Sequence, residues 1–335
     1  MRAVVFSRYG LAGEVLQLGE IDKPRVGADE LLIRVRAGAV NLYDWHTMRA
    51  DPRSVRLVRG LLKPRADGLG ADLAGQIEAV GDDVTRFQTG DEVFGQVDGE
   101  VPGKPFLELG SFAEYVCVSQ DSVALKPANL TFEEAAAVPM AGLAALQGLR
   151  DVGRTEAGQS VLINGASGGV GTFAVQIAKS FGAEVTGVGS TKSLDLIRSI
   201  GADHTVDDTV DDFASGRHRY DLILDTNGNR SISACRRALV SDGTYVAIGC
   251  DVVGGRWLGA LPHLLRPVVL SPFVSQKMAS LFAKRNHEDL RVLKELVEDG
   301  HVVPVIDRTY PLSKVAEAMQ YLETGQAQGK IVIIV

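Results

Sequence analysis

The stretch SVLINGASGGVGTFAVQIAKSFGAEV, residues 160–185, constrains the chain more than any other. A short apolar run leads into Asn164 and small residues follow. Beyond them Val170, Phe173, Ala174, Ile177, Ala178 and Phe181 recur at helical spacing. This pattern predicts a strand ending at Asn164, a glycine-rich turn, and an amphipathic helix from about Val170 whose apolar stripe packs on a sheet. The turn reads A-x-G-x-x-G through Ala166, Gly168 and Gly171. Small residues there let the backbone approach a pyrophosphate, and the amides of the helix N-terminus meet its charge. A glycine-rich turn alone is a weak signal. Its place after a strand and before an amphipathic helix is what points to a dinucleotide.

The surrounding sequence agrees with that reading. Between 160 and 250 the strand-like runs SVLIN, EVTGV, HTVDD, YDLILD and GTYVAIG alternate with helical stretches, the texture of βαβ units and a parallel sheet. The first part of the chain is different. ELLIRVRAGAV, AGQIEAVG, GDEVFGQV and GSFAEYVCV are short strand-like runs broken by turn residues, as in a compact, mostly β domain. Near residue 127 the character changes. Thr131 with Glu134 three residues on opens a helical stretch in the manner of a capping box. The ending supplies VVPVID as a strand, SKVAEAMQYLE as a helix and KIVIIV as a last strand. At 335 residues two domains are expected. The expectation is an α/β chain: a β domain at 1–126 completed by 302–335, and a parallel-sheet domain at 127–301.

The dinucleotide's identity is argued from the second strand. EVTGV ends at Gly189, where an NAD-binding sheet usually carries Asp or Glu for the ribose 2′-hydroxyl. Here Ser190, Thr191, Lys192 and Ser193 follow instead. Hydroxyls and an ammonium suit a 2′-phosphate that a carboxylate would repel, so NADP(H) is expected. A competing reading gives Ser190 only the work of capping the next helix.

A net charge of −7 argues against nucleic-acid binding, and no apolar run is long enough to span a bilayer. The N-terminus lacks the apolar region of a signal peptide, and Cys117, Cys235 and Cys250 form no CxxC. A cytoplasmic protein is the expectation. In RADPRSVRLVRGLLKPR, residues 49–65, Arg53, Arg56, Arg59 and Lys63 recur at helical spacing beside Leu57, Val58, Leu61 and Leu62. Such stripes are mostly solvated helix faces; the alternative is steering of an anionic ligand.

Near the N-terminus GAVNLYDWH sets Asn41, Tyr43, Asp44 and His46 close together, raising the question of a metal site, of acid–base chemistry or of a polar turn. With AVNLYDWH, GADLAGQIEAVGDDVTRFQTGDEVFG, GSFAEYVCV, EEAAAVPMAGLAAL, NGASGGVGTFAVQIAKSFGAEVTGV, GADHTVDD and PVIDRTYPLSKVAEAMQYLETGQAQGKIVI, the chain resembles the medium-chain dehydrogenase/reductase superfamily, in its zinc-free quinone oxidoreductase branch. The resemblance covers nearly the whole length. It implies a GroES-like β domain, a Rossmann domain holding the cofactor in the cleft between the two, and a homodimer. Zinc-dependent relatives carry a cysteine where this chain has Asn41 and a histidine where it has Ala71, and the four-cysteine lobe is absent, so no metal is expected.

The activity the resemblance implies is hydride transfer from NADPH to small quinones or enones. Asn41 and Tyr43 would orient the substrate oxygen, Tyr43 would be the proton donor, and Asp44 would fix the loop. Two packing aromatics, Tyr43 and Trp45, are the competing reading of that stretch. Carried over to this chain, Ser167, Gly168, Gly169 and Val170 would hold the pyrophosphate. Ser190 and Lys192 would meet the phosphate end, Asn227 the adenosine side, and Ile248 and Gly249 the nicotinamide, with Phe273 and Lys330 approaching the cofactor. One departure stands out: Asp208 replaces a frequent tyrosine near the expected 2′-phosphate. Alternatives at this stage are an alcohol dehydrogenase or carbonyl reductase, and a nucleotide-binding sensor without turnover.

Overall fold

A computed structural model describes residues 1–64, 68–97, 110–248 and 261–335; Arg65, Gly249 and Cys250 lie outside the described residues. The chain divides into two compact units. One is Met1–Met140 with Arg285–Glu298 and Pro304–Val335; the other is Ala141–Lys284 with Asp299–Val303. The first unit begins with strands β1 (Arg2–Val5), β2 (Gln17–Glu20), β3 (Glu30–Val40), β4 (Asp72–Val80), β5 (Glu92–Gln96), β6 (Tyr115–Ser119) and β7 (Val123–Leu125). The second holds β8 (Ser160–Asn164), β9 (Glu184–Gly189), β10 (His204–Asp207), β11 (Tyr220–Asp225), β12 (Leu239–Ile248) and β13 (Lys277–Leu281). The chain then returns to the first unit with β14 (Ile306–Pro311) and β15 (Lys330–Ile334).

In the first unit the sheet runs β14-β15-β3-β4-β5-β7, and β6 also pairs with β3. Its core gathers Leu31, Ile33 and Val35 of β3 with Leu73, Ile77, Val93, Val116 and Val118. The registers of two strand pairs decide what meets at the end of β3. In the antiparallel β15–β3 pair Ile331 faces Val40, so Lys330 comes beside Asn41, and in β3–β4 Ala39 faces Asp72. Three polar residues from distant parts of the sequence therefore converge at one sheet end.

The second unit is a parallel sheet in the order β10-β9-β8-β11-β12-β13. In chain order within the unit this is 3-2-1-4-5-6, the doubly wound arrangement. The helix Gly169–Ser180 buries Phe173, Ala174, Ile177 and Ala178 of the expected stripe completely, whereas Val170 and Phe181 are partly exposed and Thr172 and Val175, off the stripe, are buried as well. The sixth strand, KMASL, has no strong strand pattern; it pairs residue for residue with β12 from Lys277 opposite Thr244 to Leu281 opposite Ile248.

Thr131 caps the helix Phe132–Ala136, accepting from the Glu134 amide at 3.2 Å, while Glu134 accepts from the Thr131 amide at 2.8 Å. The single helix expected there is two, because a new one starts at Pro139, which favours a first helical position. The strand expected in VVPVID starts only at Ile306; Pro304 lacks an amide proton, and the Val305 carbonyl accepts from the Lys330 amide. The basic stripe at 49–65 is not one helix face either. Leu42–Arg49 and Val55–Arg59 are separate helices, the second ends at Gly60 with φ 119°, and Leu57, Leu61 and Leu62 are exposed. No helix among the described residues is long and apolar enough to cross a membrane.

Candidate active site

The second unit presents its glycine turn where the doubly wound order reverses, between β8 and β11. Gly165 adopts φ 84°, a conformation costly for a side-chain-bearing residue, and the amides of Gly165 and Ala166 both donate to the Val188 carbonyl of β9. The helix starts after Gly168 with no side chain capping it. Its first amides, at Gly169 and Val170, consequently have no acceptor within the helix and are available to an anion. A Cβ on Gly171 would run into the Gly165 carbonyl and lie 2.7 Å from Ala166 Cα, so this glycine permits the close helix–strand contact. A Cβ on Gly168 would meet only the Gly165 carbonyl oxygen, at 3.4 Å. Ser167, Gly168, Gly169 and Val170 are all partly exposed.

The opposite lip follows β11 and is held by a buried carboxylate. Asp225 accepts from Tyr245 Oη at 2.7 Å, Asn164 Nδ2 at 2.8 Å, and the amides of Asn227 at 3.1 Å and Gly228 at 2.8 Å. Asn227 thus sits on a loop whose backbone is pinned to the sheet. Asn164 Oδ1, at the tip of β8, is buried without a hydrogen-bond partner. An unpaired acceptor there is the kind of group a bound ligand completes, and with the uncapped helix start it fits a dinucleotide.

At the end of β9 Gly189 is buried, and a Cβ would lie 2.6 Å from Ser193 Oγ and 2.7 Å from Ile197 Cδ1. A side chain at 189 would have to displace the ends of the Ser193 and Ile197 side chains. Ser190 precedes the turn Thr191–Ser193 but its side chain makes no capping hydrogen bond; Ser193 Oγ instead donates to the Ser190 carbonyl at 2.8 Å. Ser190 and Lys192 are both exposed. The Asp208 carboxylate accepts from Asn229 Nδ2 at 3.4 Å. Ile248 ends β12 with 7% exposure, and Phe273, in the turn Ser271–Phe273, is 82% exposed.

In the first unit, the sheet end brings Asn41, Asp72 and Lys330 together in the interior. Asn41 Oδ1 accepts from Lys330 Nζ at 2.5 Å, and its Nδ2 donates to the Ala39 carbonyl and to Asp72 Oδ2, both at 3.1 Å. Both amide hydrogens of Asn41 are committed by these bonds. Asp72 completes an ion pair with Lys330 at 3.4 Å and accepts from the Met140 amide at 2.9 Å and Gln96 Nε2 at 3.4 Å. Asp44, also buried, accepts from the amides of Asn41 at 2.9 Å and Gly70 at 3.1 Å, clamping the helix start to a neighbouring loop. Burial pushes the Asp44 carboxyl up to about 7 against these amide bonds. Burial also raises Asp72, opposed chiefly by the Lys330 charge.

Tyr43 differs from its neighbours. It is 38% exposed, and its hydroxyl accepts from Arg59 Nη2, whose guanidinium lies 5.2 Å from the ring centre. His46 is turned to the Asp51 carbonyl through Nδ1, and burial lowers its pKa. Among the described residues no three His, Cys, Asp or Glu side chains are grouped to hold a metal. Asp72 has no local sequence signal; the register between β3 and β4 brings it here.

Comparison with known proteins places both units in one family. Residues 27–128 match the alcohol dehydrogenase GroES-like domain, and residues 200–333 match the zinc-binding dehydrogenase family. The chain is 35% identical over 338 residues to the 2-methylene-furan-3-one reductase of Solanum lycopersicum, covering 99% of this chain and 79% of that protein. It is 34% identical over 343 residues to the chloroplastic NADPH-dependent alkenal/one oxidoreductase of Arabidopsis thaliana, with the same coverages of 99% and 79%. Among solved structures, the quinone oxidoreductase of Coxiella burnetii superposes with a TM-score of 0.86 at 28% identity, covering 100% of this chain and 99% of that one. With its glycine turn at the switch point of a doubly wound sheet and relatives matching it almost end to end, the chain belongs to the medium-chain dehydrogenase/reductase superfamily, in the quinone oxidoreductase-like branch.

Proposed function

We propose that the protein is an NADPH-dependent oxidoreductase that reduces quinones or α,β-unsaturated carbonyls by hydride transfer, without zinc and with Tyr43 as proton donor. The observation that carries this is the switch-point turn, with its uncapped helix start, followed by a β9 end that has glycine instead of an acid at 189 and leaves Ser190 and Lys192 exposed. NADPH, when bound, supplies the hydride. The turn Ser167–Val170 and the loop of Asn227 hold the cofactor, Ser190 and Lys192 meet its 2′-phosphate, and Ile248, Gly249, Phe273 and Lys330 belong to the same proposed set.

The zinc-independent reading rests on donor chemistry. Where zinc-dependent relatives have a thiolate this chain has the Asn41 amide, whose oxygen is occupied by the Lys330 ammonium, and Ala71 offers a methyl group. That set does not fit zinc. A carbonyl is then polarised only by hydrogen bonds, which suits conjugate addition. With bound cofactor supplying hydride to the β-carbon, the C=C π pair would form a double bond between the α-carbon and the carbonyl carbon, the C=O π pair would pass to oxygen, and the Tyr43 O–H bond would break to protonate that oxygen, water reprotonating the phenolate. Asn41, with both amide hydrogens engaged, and Asp44, bonded to two backbone amides, shape the turn that carries Tyr43. A cytoplasmic homodimer belongs to the same reading, and sedimentation measures its subunit count.

A cofactor-oxidation screen of NADPH against NADH over quinones, enones and aldehydes is the direct test. NADPH oxidation with enones or quinones is expected; a preference for NADH removes the Ser190–Lys192 assignment. Ser190→Asp sharpens it, with a loss of about a hundredfold in kcat/KM for NADPH and little change for NADH. Stoichiometric zinc in purified protein, with turnover of saturated alcohols, sinks the zinc-independent reading.

A further inference from the structure

Donor and acceptor accounting at the Asn41–Asp44 turn leads to a residue outside it. Of the three polar side chains there, Asn41 has spent both hydrogens on Ala39 and Asp72, and the Asp44 carboxylate receives two backbone amides. The Tyr43 oxygen receives a hydrogen bond from Arg59 Nη2. A guanidinium has only donors, so this contact uses a lone pair of the phenol oxygen and leaves the phenol's own proton directed elsewhere.

Arg59 is held in place by its surroundings. It closes the short helix Val55–Arg59, and the carbonyl of the next residue, Gly60, accepts from Tyr9 Oη at 2.9 Å. Arg56, on the same helix, stacks on the Tyr9 ring at 4.9 Å, as Arg59 does on Tyr43 at 5.2 Å. Two guanidinium–tyrosine stacks thus fasten this segment beside the turn. Tyr43 is 38% exposed, so an acceptor outside the protein can approach it.

We infer that Arg59 is a positioning residue for proton transfer from Tyr43: its guanidinium fixes the phenol oxygen as acceptor, orients the phenol proton outward, and meets the negative charge left when that proton goes to the substrate oxygen. This rests on the reading of Tyr43 as donor. The physical basis is that a charge aimed in advance at an oxygen that becomes anionic stabilises the transition state more than the ground state. Arg59 itself gives up no proton; the bond broken is the Tyr43 O–H.

The test is a double-mutant cycle on the full chain, with kcat measured under conditions where 4-deuterated NADPH shows hydride transfer to be rate-limiting and with NADPH affinity measured separately by fluorescence. Arg59→Met is expected to lower kcat about tenfold in the parent enzyme, to add less than about twofold in the Tyr43→Phe background, and to leave NADPH affinity unchanged. Arg59→Lys, which retains a cationic donor, is expected to recover most of the loss, and Arg59→Gln serves where the methionine variant folds poorly. An equal loss in both backgrounds, no loss at all, or a loss explained by weaker NADPH binding overturns the role of Arg59. If Tyr43→Phe is itself without effect, the donor reading fails and takes this inference with it. If Tyr43→Phe is impaired and the Arg59 variants are not, the inference about Arg59 falls alone.

Discussion

The glycine turn of the second unit and the Asn41–Lys330 cluster of the first are both polar sites at the ends of strands, yet they are specified in different ways. The turn is local. Ala166, Gly168 and Gly171 lie within six positions, and each residue's work follows from its neighbours: a positive-φ Gly165, an uncapped helix start, and a glycine pressed against the preceding backbone. The cluster is assembled from afar. Asn41 and Lys330 are 289 residues apart, Lys330 and Asp72 258, and only strand register makes them partners. A short motif can announce a phosphate site because it is made of backbone; a buried ion pair is made of side chains and has no sequence period.

The comparison breaks most visibly at Gly171. Gly171→Val should abolish NADPH binding, by about a hundredfold or more, or prevent folding, because its Cβ would meet backbone that has nowhere to move. Gly168→Ala, with its nearest contact at 3.4 Å, should keep most of that affinity. Fluorescence titration of NADPH measures both, and equal effects would show that small size along the turn, rather than one close approach, is what matters.

For the cluster, Lys330→Met leaves Asp72 buried without its cation and should cost about 3–5 kcal/mol of stability. Adding Asp72→Asn should return much of it, since a neutral pair carries no unpaired charge. Urea unfolding decides the matter: a double variant as unstable as the single one would mean that shape, not charge, holds the sheet end together.

A smaller effect comes from Asp44. Its carboxyl stands at about 7 in the folded chain against an ordinary 3.8, so between those values the folded state holds a proton that the unfolded state has released. The Asp44 contribution to stability is therefore fullest in acid and is lost as pH rises from about 4 to about 7. Asp72, raised by the same burial, acts in the same direction. His46, lowered by burial from 6.5, acts oppositely, removing stability as pH falls below that value. Asp44→Asn should flatten the decline in urea midpoint across that window; an unchanged slope would assign it to Asp72 alone.

Much of the fold could be read from residue patterns because strand and helix periods are local. The helix after Gly168, the five patterned strands of the parallel sheet and the Thr131 cap all have local causes. The strand Lys277–Leu281 has Met278 as its one buried side chain, so its place comes from pairing with β12 and not from its own pattern. The basic stripe at 49–65 misled for the converse reason: its spacing is helical, but Gly60 ends the helix and leaves Lys63 beyond it. At the candidate site, Tyr43 and Asn41 stood out by type, while Asp72 and the Arg59 contact did not.

The sequence by itself determined the switch-point turn, the missing acid after β9 and the residues that suit a phosphate, because each depends on backbone freedom or charge within a few positions. Only the tertiary structure decided that Asn41 faces Lys330 and Asp72, that Asp44 lies in the interior, and that the Tyr43 oxygen accepts from Arg59. Those outcomes follow from strand register and from which side chain a donor happens to reach, and neither is written in any short stretch of the chain.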